Sequence, residues 1–127
     1  MTQEDRKLLL TDLCARLQYE VKVDHFGTVK ELLGIMPSSE NVMVGYDIND
    51  YEDSVIEDIK PYLRPMSSMT EEERNEHFGR TMTIDIVQTS KEVIDWLNKK
   101  MFDYRGLIEK GLALEAPIGM YNLKKEK

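Results

Sequence analysis

The sequence predicts an α+β fold in which an antiparallel sheet of about four to five strands packs with two main helices and one short acidic helix. Two segments with helical spacing of apolar residues lie towards the two ends of the chain, and short segments with alternating apolar residues lie between them. The connections between the alternating segments are short, which favours antiparallel hairpins. The length of 127 residues predicts a single globular domain over residues 1–127.

The first helix is predicted near the start of the chain, where leucines recur at every fourth position. Thr2 is its expected N-cap, because a threonine hydroxyl can accept a hydrogen bond from a free N–H of the first turn. The predicted core face comprises Leu9, Leu10, Leu13, Cys14 and Leu17. The predicted outer side carries Arg6, Asp12 and Arg16, with Asp12 and Arg16 spaced for an ion pair.

Four strands are predicted next. Apolar and polar residues alternate at residues 19–23 and 42–46, and two further strands are expected at residues 29–36, which end at a proline-serine turn, and at residues 55–59. Residues 25–28 are predicted to form a turn, and residues 47–53 an acidic loop. Residues 59–66 contain Pro61 and Pro65, and proline cannot donate to a strand ladder, so an edge position or an extended connection is expected. A further strand is predicted at residues 82–86.

Two capping boxes predict the remaining helices. Thr70 and Glu73 open a short acidic helix that is expected to end near Gly79, and Thr89 and Glu92 open the last helix. The predicted core face of this last helix comprises Val93, Ile94, Trp96, Leu97 and Met101. After it we expect one helical turn at residues 107–110, an extended segment that packs Leu112 and Leu114, and a frayed tail at residues 123–127.

The whole net charge of −7 lies in one stretch, residues 40–59, which we call the acidic segment. It holds seven acids and no base, whereas the rest of the chain carries 17 acids and 17 bases. Because lysine and arginine form no cluster, direct binding of nucleic acid is not expected. Two interpretations remain open, a solvated loop that adds solubility and a docking surface for a basic protein partner.

No pattern for catalysis, a metal or a cofactor is found. Cys14, His25 and His77 are far apart in sequence and lack the spacing of metal ligands, so neither a metal site nor a cofactor is predicted. The segment from Asp47 to Asp58 matches only the first ligand positions of a calcium loop, which leaves open a weak surface cation site but excludes an EF-hand.

The candidate binding residues are acids of the acidic segment and aromatic or arginine residues nearer the C-terminus. For the second group the alternative is a packing role, since aromatic side chains beside a helix end are usually part of the core. The candidates are Asp50, Glu52, Asp53, Glu57, Tyr104, Arg105 and Arg64.

The apolar runs are too short for a membrane span or a secretory signal, so no membrane association is expected. A single cysteine excludes an internal disulfide framework and fits a reducing compartment. The predicted location is the cytoplasm.

Three segments carry a resemblance to a family: residues 8–17, residues 59–73, and residues 96–98 continuing through 102–117. Together they resemble an uncharacterised family of small proteins encoded by phages and prophages of gut bacteria. The resemblance covers less than half of the chain, and it departs from the family pattern at residues 18–20 and at Ile118. It implies a mobile-element origin and a bacterial intracellular setting, but no reaction.

The sequence therefore predicts a non-enzymatic protein–protein interaction module. Two alternatives stay open, a small enzyme whose active site has no known motif and a minor structural or assembly component of the virion. The expected partner is a protein, with a basic partner favoured by the acidic segment; a homo-oligomer is the other open arrangement.

Overall fold

The computed structural model describes residues 1–36, 38–77 and 91–121. The predicted α+β class is confirmed. Short 3-10 turns lie at residues 17–19, 56–58 and 66–68. The helices are α1 (Gln3–Arg16), α2 (Glu71–His77) and α3 (Lys91–Lys99), and the strands are β1 (Lys22–His25), β2 (Thr28–Met36), β3 (Asn41–Asp47), β4 (Asp50–Val55), β5 (Ile59–Leu63) and β6 (Leu114–Glu115).

The strands form one sheet in the order β4-β3-β2-β1-β5-β6. Successive strands from β1 to β4 are antiparallel neighbours, and β5 returns to pair antiparallel with β1. The short strand β6 pairs parallel with β5, so the sheet of the described residues is mixed and has one strand more than predicted. The sequence around β6 contains glycines and Pro117, and two residues are too few to show an alternating pattern.

Helix α1 begins at the predicted cap. The Thr2 hydroxyl accepts a hydrogen bond from the Asp5 N–H at 3.0 Å, and the Asp5 carboxylate accepts one from the Thr2 N–H. The predicted helix faces are wrong in part, because Cys14 is exposed. The buried positions of α1 are Leu9, Asp12, Leu13 and Arg16, which follow the i, i+3, i+4, i+7 spacing of one helix face.

The turn between β1 and β2 lies where the sequence predicts it. Phe26 and Gly27 are its two central residues, with φ angles of 54° and 88°. Positive φ at both positions is the geometry of a type I′ turn, which matches the twist of the flanking strands.

The acidic segment differs from the prediction. Residues 47–53 are not a loop, because β3 and β4 form a hairpin whose strands meet at Asp47 and Asp50. The strand predicted at residues 55–59 is also wrong, since a 3-10 turn at residues 56–58 connects β4 to β5. The run of acids had indicated a loop. However, an edge strand keeps much of its length exposed and can therefore carry acids at successive positions.

Strand β5 is an interior strand rather than an edge, although it contains Pro61. Pro61 lies opposite Val23 of β1, while the pairing with β6 involves only Tyr62 and Leu63. Pro61 thus has a described strand partner on one side only, which is how a proline is tolerated in a sheet.

The main core lies between α1 and the sheet, and a smaller cluster forms around α3. Leu97 of α3 is fully buried and Met101 is almost so, as predicted. The helical turn expected at residues 107–110 is a series of tight turns instead, held by Asp103, whose carboxylate accepts hydrogen bonds from the N–H groups of Leu107 and Ile108.

The predictions for Gly79, residues 82–86, Thr89 and residues 123–127 lie outside the described residues. None of the described helices is long and apolar enough to cross a membrane.

Candidate interaction surface

The first candidate surface is the hairpin of β3 and β4, residues 41–55, which we call the acidic hairpin. It carries Asp47, Asp50, Glu52 and Asp53, all exposed. Its tip is a short turn in which the Asp47 carboxylate accepts a hydrogen bond from the Asn49 N–H at 2.7 Å. Strand β4 lies at the end of the strand order, so this charge is concentrated along one edge of the sheet.

Exposed apolar side chains accompany the acids on the same hairpin. The exposed fractions are 57% for Tyr46, 67% for Ile48, 46% for Tyr51 and 44% for Val55. Tyrosine combines a large contact area with a hydroxyl that forms directed hydrogen bonds, and it is enriched among the residues that dominate binding at protein interfaces. The acidic hairpin therefore offers both charge and contact area, a combination that the sequence analysis did not identify because it treated these residues as a loop.

The two hairpin strands approach closely at Gly45. A Cβ atom at this position would lie 2.3 Å from the carbonyl oxygen of Asp50 and 2.5 Å from the Cα of Tyr51. Only glycine fits such a contact without displacing backbone. Gly45 thus fixes the position of Asp50 and Tyr51 relative to β3.

Glu52 is partly neutralised by neighbours on β1 and β2. The Lys30 ammonium donates a hydrogen bond to the Glu52 carboxylate and lies 3.1 Å from Nδ1 of the buried His25. The hydrogen bond and the charge of Lys30 lower the pKa of Glu52 below its ordinary value. Glu52 is therefore an ionised but paired acid, and sequence spacing could not show this pairing because Lys30 lies 22 residues away.

A shallow cavity of about 140 Å³ lies beside these residues, lined by Lys30, Val44, Tyr46, Tyr51 and Glu52, among others. Sites for small molecules usually measure roughly 300–1,000 Å³. This cavity is smaller than that range.

Glu57 is turned towards α1 instead of towards the free edge. It forms an ion pair with Arg6, and Arg6 also lies 3.7 Å from Glu40. Two of the seven acids of the acidic segment, which flank the hairpin on either side, are therefore paired with α1. Among the described residues, the carboxylates of Asp50 and Asp53 have no such ionic partner.

The candidates Arg64, Tyr104 and Arg105 lie in a different part of the fold. Arg64 binds both carboxylate oxygens of Glu73 at 2.8 Å, and its guanidinium lies 4.1 Å from the centre of the Phe102 ring. The Tyr104 hydroxyl donates to Asn98 at 3.0 Å. These contacts give Arg64 and Tyr104 packing roles around α3, at the opposite side of the strand order from β4.

Arg105 belongs to a buried charge network that the sequence analysis missed. It donates to Asp12 at 2.6 Å, and Arg16 donates to the same carboxylate at 2.9 and 3.1 Å. Arg16 also donates to the Phe102 carbonyl at 2.6 Å. The network joins α1 to the segment after α3, which gives Arg105 a structural role.

No group of three or more histidine, cysteine or carboxylate side chains is placed to hold a metal ion in the described part of the chain. His25 contacts a lysine, a glutamate and the Phe26 ring, and Cys14 lies exposed on α1. Comparison of the chain with protein-family models, curated proteins and solved structures found no match.

Proposed function

We propose that this protein is a non-enzymatic interaction module that binds a basic protein partner through the acidic hairpin. The observation that supports this function best is that acids without an ionic partner among the described residues, Asp50 and Asp53, lie on the same strand as the exposed side chains of Tyr51 and Val55, at the end of the strand order. Charge on such a surface accelerates encounter with an oppositely charged partner, and the aromatic side chains supply contact area once the partner is bound.

The resemblance to phage and prophage proteins supports a mobile-element origin for this module and a bacterial cytoplasmic setting. A host or phage protein with a basic surface is the partner class that fits both the charge and this origin.

The test compares two charge variants. In the first, Asp50→Asn and Asp53→Asn remove two unpaired charges from β4 while keeping the side-chain shapes. In the control, Glu109→Gln and Glu115→Gln remove two exposed charges elsewhere. A partner is first captured from bacterial lysate with the unaltered protein, and its association rates with all three proteins are then measured at two salt concentrations.

We expect the first variant to associate markedly more slowly at low salt, with the control close to the unaltered protein. The difference should shrink near physiological ionic strength, where the Debye length is about 8 Å. Equal rates for the two variants at both salt concentrations would contradict the proposed function and would leave the acids a solubilising role.

A further inference from the structure

Strand β4 is the last strand at one end of the sheet that the described residues form. Among the described residues it pairs on one side only, with β3. In an antiparallel pair, every second residue of a strand directs its N–H and C=O groups away from its neighbour. About half of the backbone groups of β4 are therefore available to another strand.

The side chains of β4 form a different pattern on each face of the sheet. Tyr51, Asp53 and Val55 lie on one face, so an acid is placed between two exposed apolar side chains. Glu52 and Ser54 lie on the other face, opposite Val44 and Val42 of β3. A strand added to this edge would meet the first face with an apolar, a basic and an apolar residue in alternate positions.

A second copy of this chain is disfavoured as the added strand. Directly opposite residues of an antiparallel pair share a face of the sheet, so the two registers that pair most of β4 with a second copy place either Glu52 opposite Glu52 or Asp53 opposite Asp53. Like charges directly opposite each other destabilise a strand pair. The acids thus protect the edge against self-association while they attract a strand of opposite charge.

We infer that β4 accepts an extended basic segment of the partner protein as an additional strand of the sheet. This inference rests on the proposed function and specifies how the partner binds. Main-chain hydrogen bonds along the edge provide affinity, and alternate side chains provide specificity. On the first face, the basic side chain of the segment contacts Asp53, and its apolar side chains pack beside Tyr51 and Val55.

The experiment uses a synthetic peptide with the pattern valine-threonine-lysine-threonine-valine, in which one face carries valine, lysine and valine at alternate positions, together with the intact protein. The control peptide has the same sequence and charge, but its central backbone amides are N-methylated so that they cannot donate hydrogen bonds. Binding is measured by titration calorimetry, and hydrogen exchange of the β4 amides is followed by NMR.

We expect the unmodified peptide to bind at least about tenfold more tightly than the methylated one. Alternate amides of β4 that exchange rapidly in the free protein should become protected in the complex. Asp53→Lys should weaken binding of the unmodified peptide, whereas the matched variant Glu109→Lys should not.

Equal binding of both peptides without protection of β4 would overturn strand addition, since charge alone would then explain the binding. Failure of both peptides to bind would also overturn it. The proposed function is tested separately, by the association rates of the captured partner, so failure of one test is distinguishable from failure of the other.

Discussion

Asp12 is a fully buried carboxylate that forms ion pairs with two guanidinium groups, those of Arg16 and Arg105. Arg16 is also fully buried, so both charges of this pair have lost their contact with water. Such a pair contributes little net stability compared with an apolar pair, but removal of one partner leaves an uncompensated buried charge. The network therefore specifies how α1 meets the C-terminal segment.

Asp12→Asn should destabilise the protein by about 3 kcal/mol or more, because both arginines lose their counter-charge. The measurement is the free energy of unfolding in urea at neutral pH. Asp58→Asn is the matched control: Asp58 is exposed, and a substitution of that kind changes stability by about 0.5 kcal/mol or less. Similar losses for the two variants would show that Asp12 does not act as a buried counter-ion.

Glu73 gives the stability a defined pH dependence. Desolvation raises the pKa of this carboxyl, but the hydrogen bonds from Arg64 and the Thr70 N–H, together with nearby positive charge, outweigh it and lower the pKa from 4.5 to about 2. The folded state thus binds the proton less readily than the unfolded state. The stabilisation is complete above pH 4.5 and is lost as the pH falls towards 2.

We therefore expect Glu73→Gln to be less stable than the unaltered protein at pH 7, with the difference shrinking between about pH 4.5 and pH 2. The measurement is the free energy of unfolding in urea of both proteins over this pH range. Glu71→Gln is the control, because Glu71 is exposed in the same helical turn. A difference that stays constant down to pH 2 would contradict the ion pair with Arg64.

Helices α1 and α3 each pack through an apolar side chain that was predicted from the sequence to lie in the core. Leu13 and Leu97 are both fully buried, Leu13 in the main core and Leu97 in the smaller cluster around Trp96 and Phe102. The two clusters lie on elements that are distant in sequence but in contact in the fold.

Leu13→Ala and Leu97→Ala should each cost about 2–5 kcal/mol of unfolding free energy, through lost burial and the cavity left behind. Denaturant unfolding measures both. Leu10→Ala serves as the comparison on α1, since Leu10 is only partly buried and should cost less. Losses below about 1 kcal/mol at both core positions would contradict the packing of these helices.

At the scale of the whole molecule, the two ends of the strand order differ in the contacts that their residues make. On the side of β5 and β6, Arg64 and the Asp12 network bind the C-terminal segment to the rest of the fold. The Tyr121 hydroxyl adds to this by accepting a hydrogen bond from the Lys22 N–H and donating one to the Tyr62 carbonyl, each at 2.8 Å. At the other end of the strand order, the acidic hairpin presents a charged edge that is unpaired within the described part of the chain.

Local sequence pattern was sufficient to predict the α+β class, the capped start of α1, the turn at residues 25–28, strands β2 and β3, and the core positions Leu13 and Leu97. These features depend on local rules, since caps, turn residues and apolar periodicity act within a few residues of chain. The concentration of charge in the acidic segment was also visible, because it is a property of composition.

The environments of the charged residues depend on contacts between segments that are distant in sequence. Asp12 and Arg16 look like an outer pair on α1, yet Arg105 and the Phe102 carbonyl, far along the chain, make their burial possible. The acids at residues 50–53 look like a loop, yet pairing with β3 makes them an edge strand. In both cases the deciding partner is remote in sequence, and local pattern carries no information about contacts that form only when the chain closes on itself.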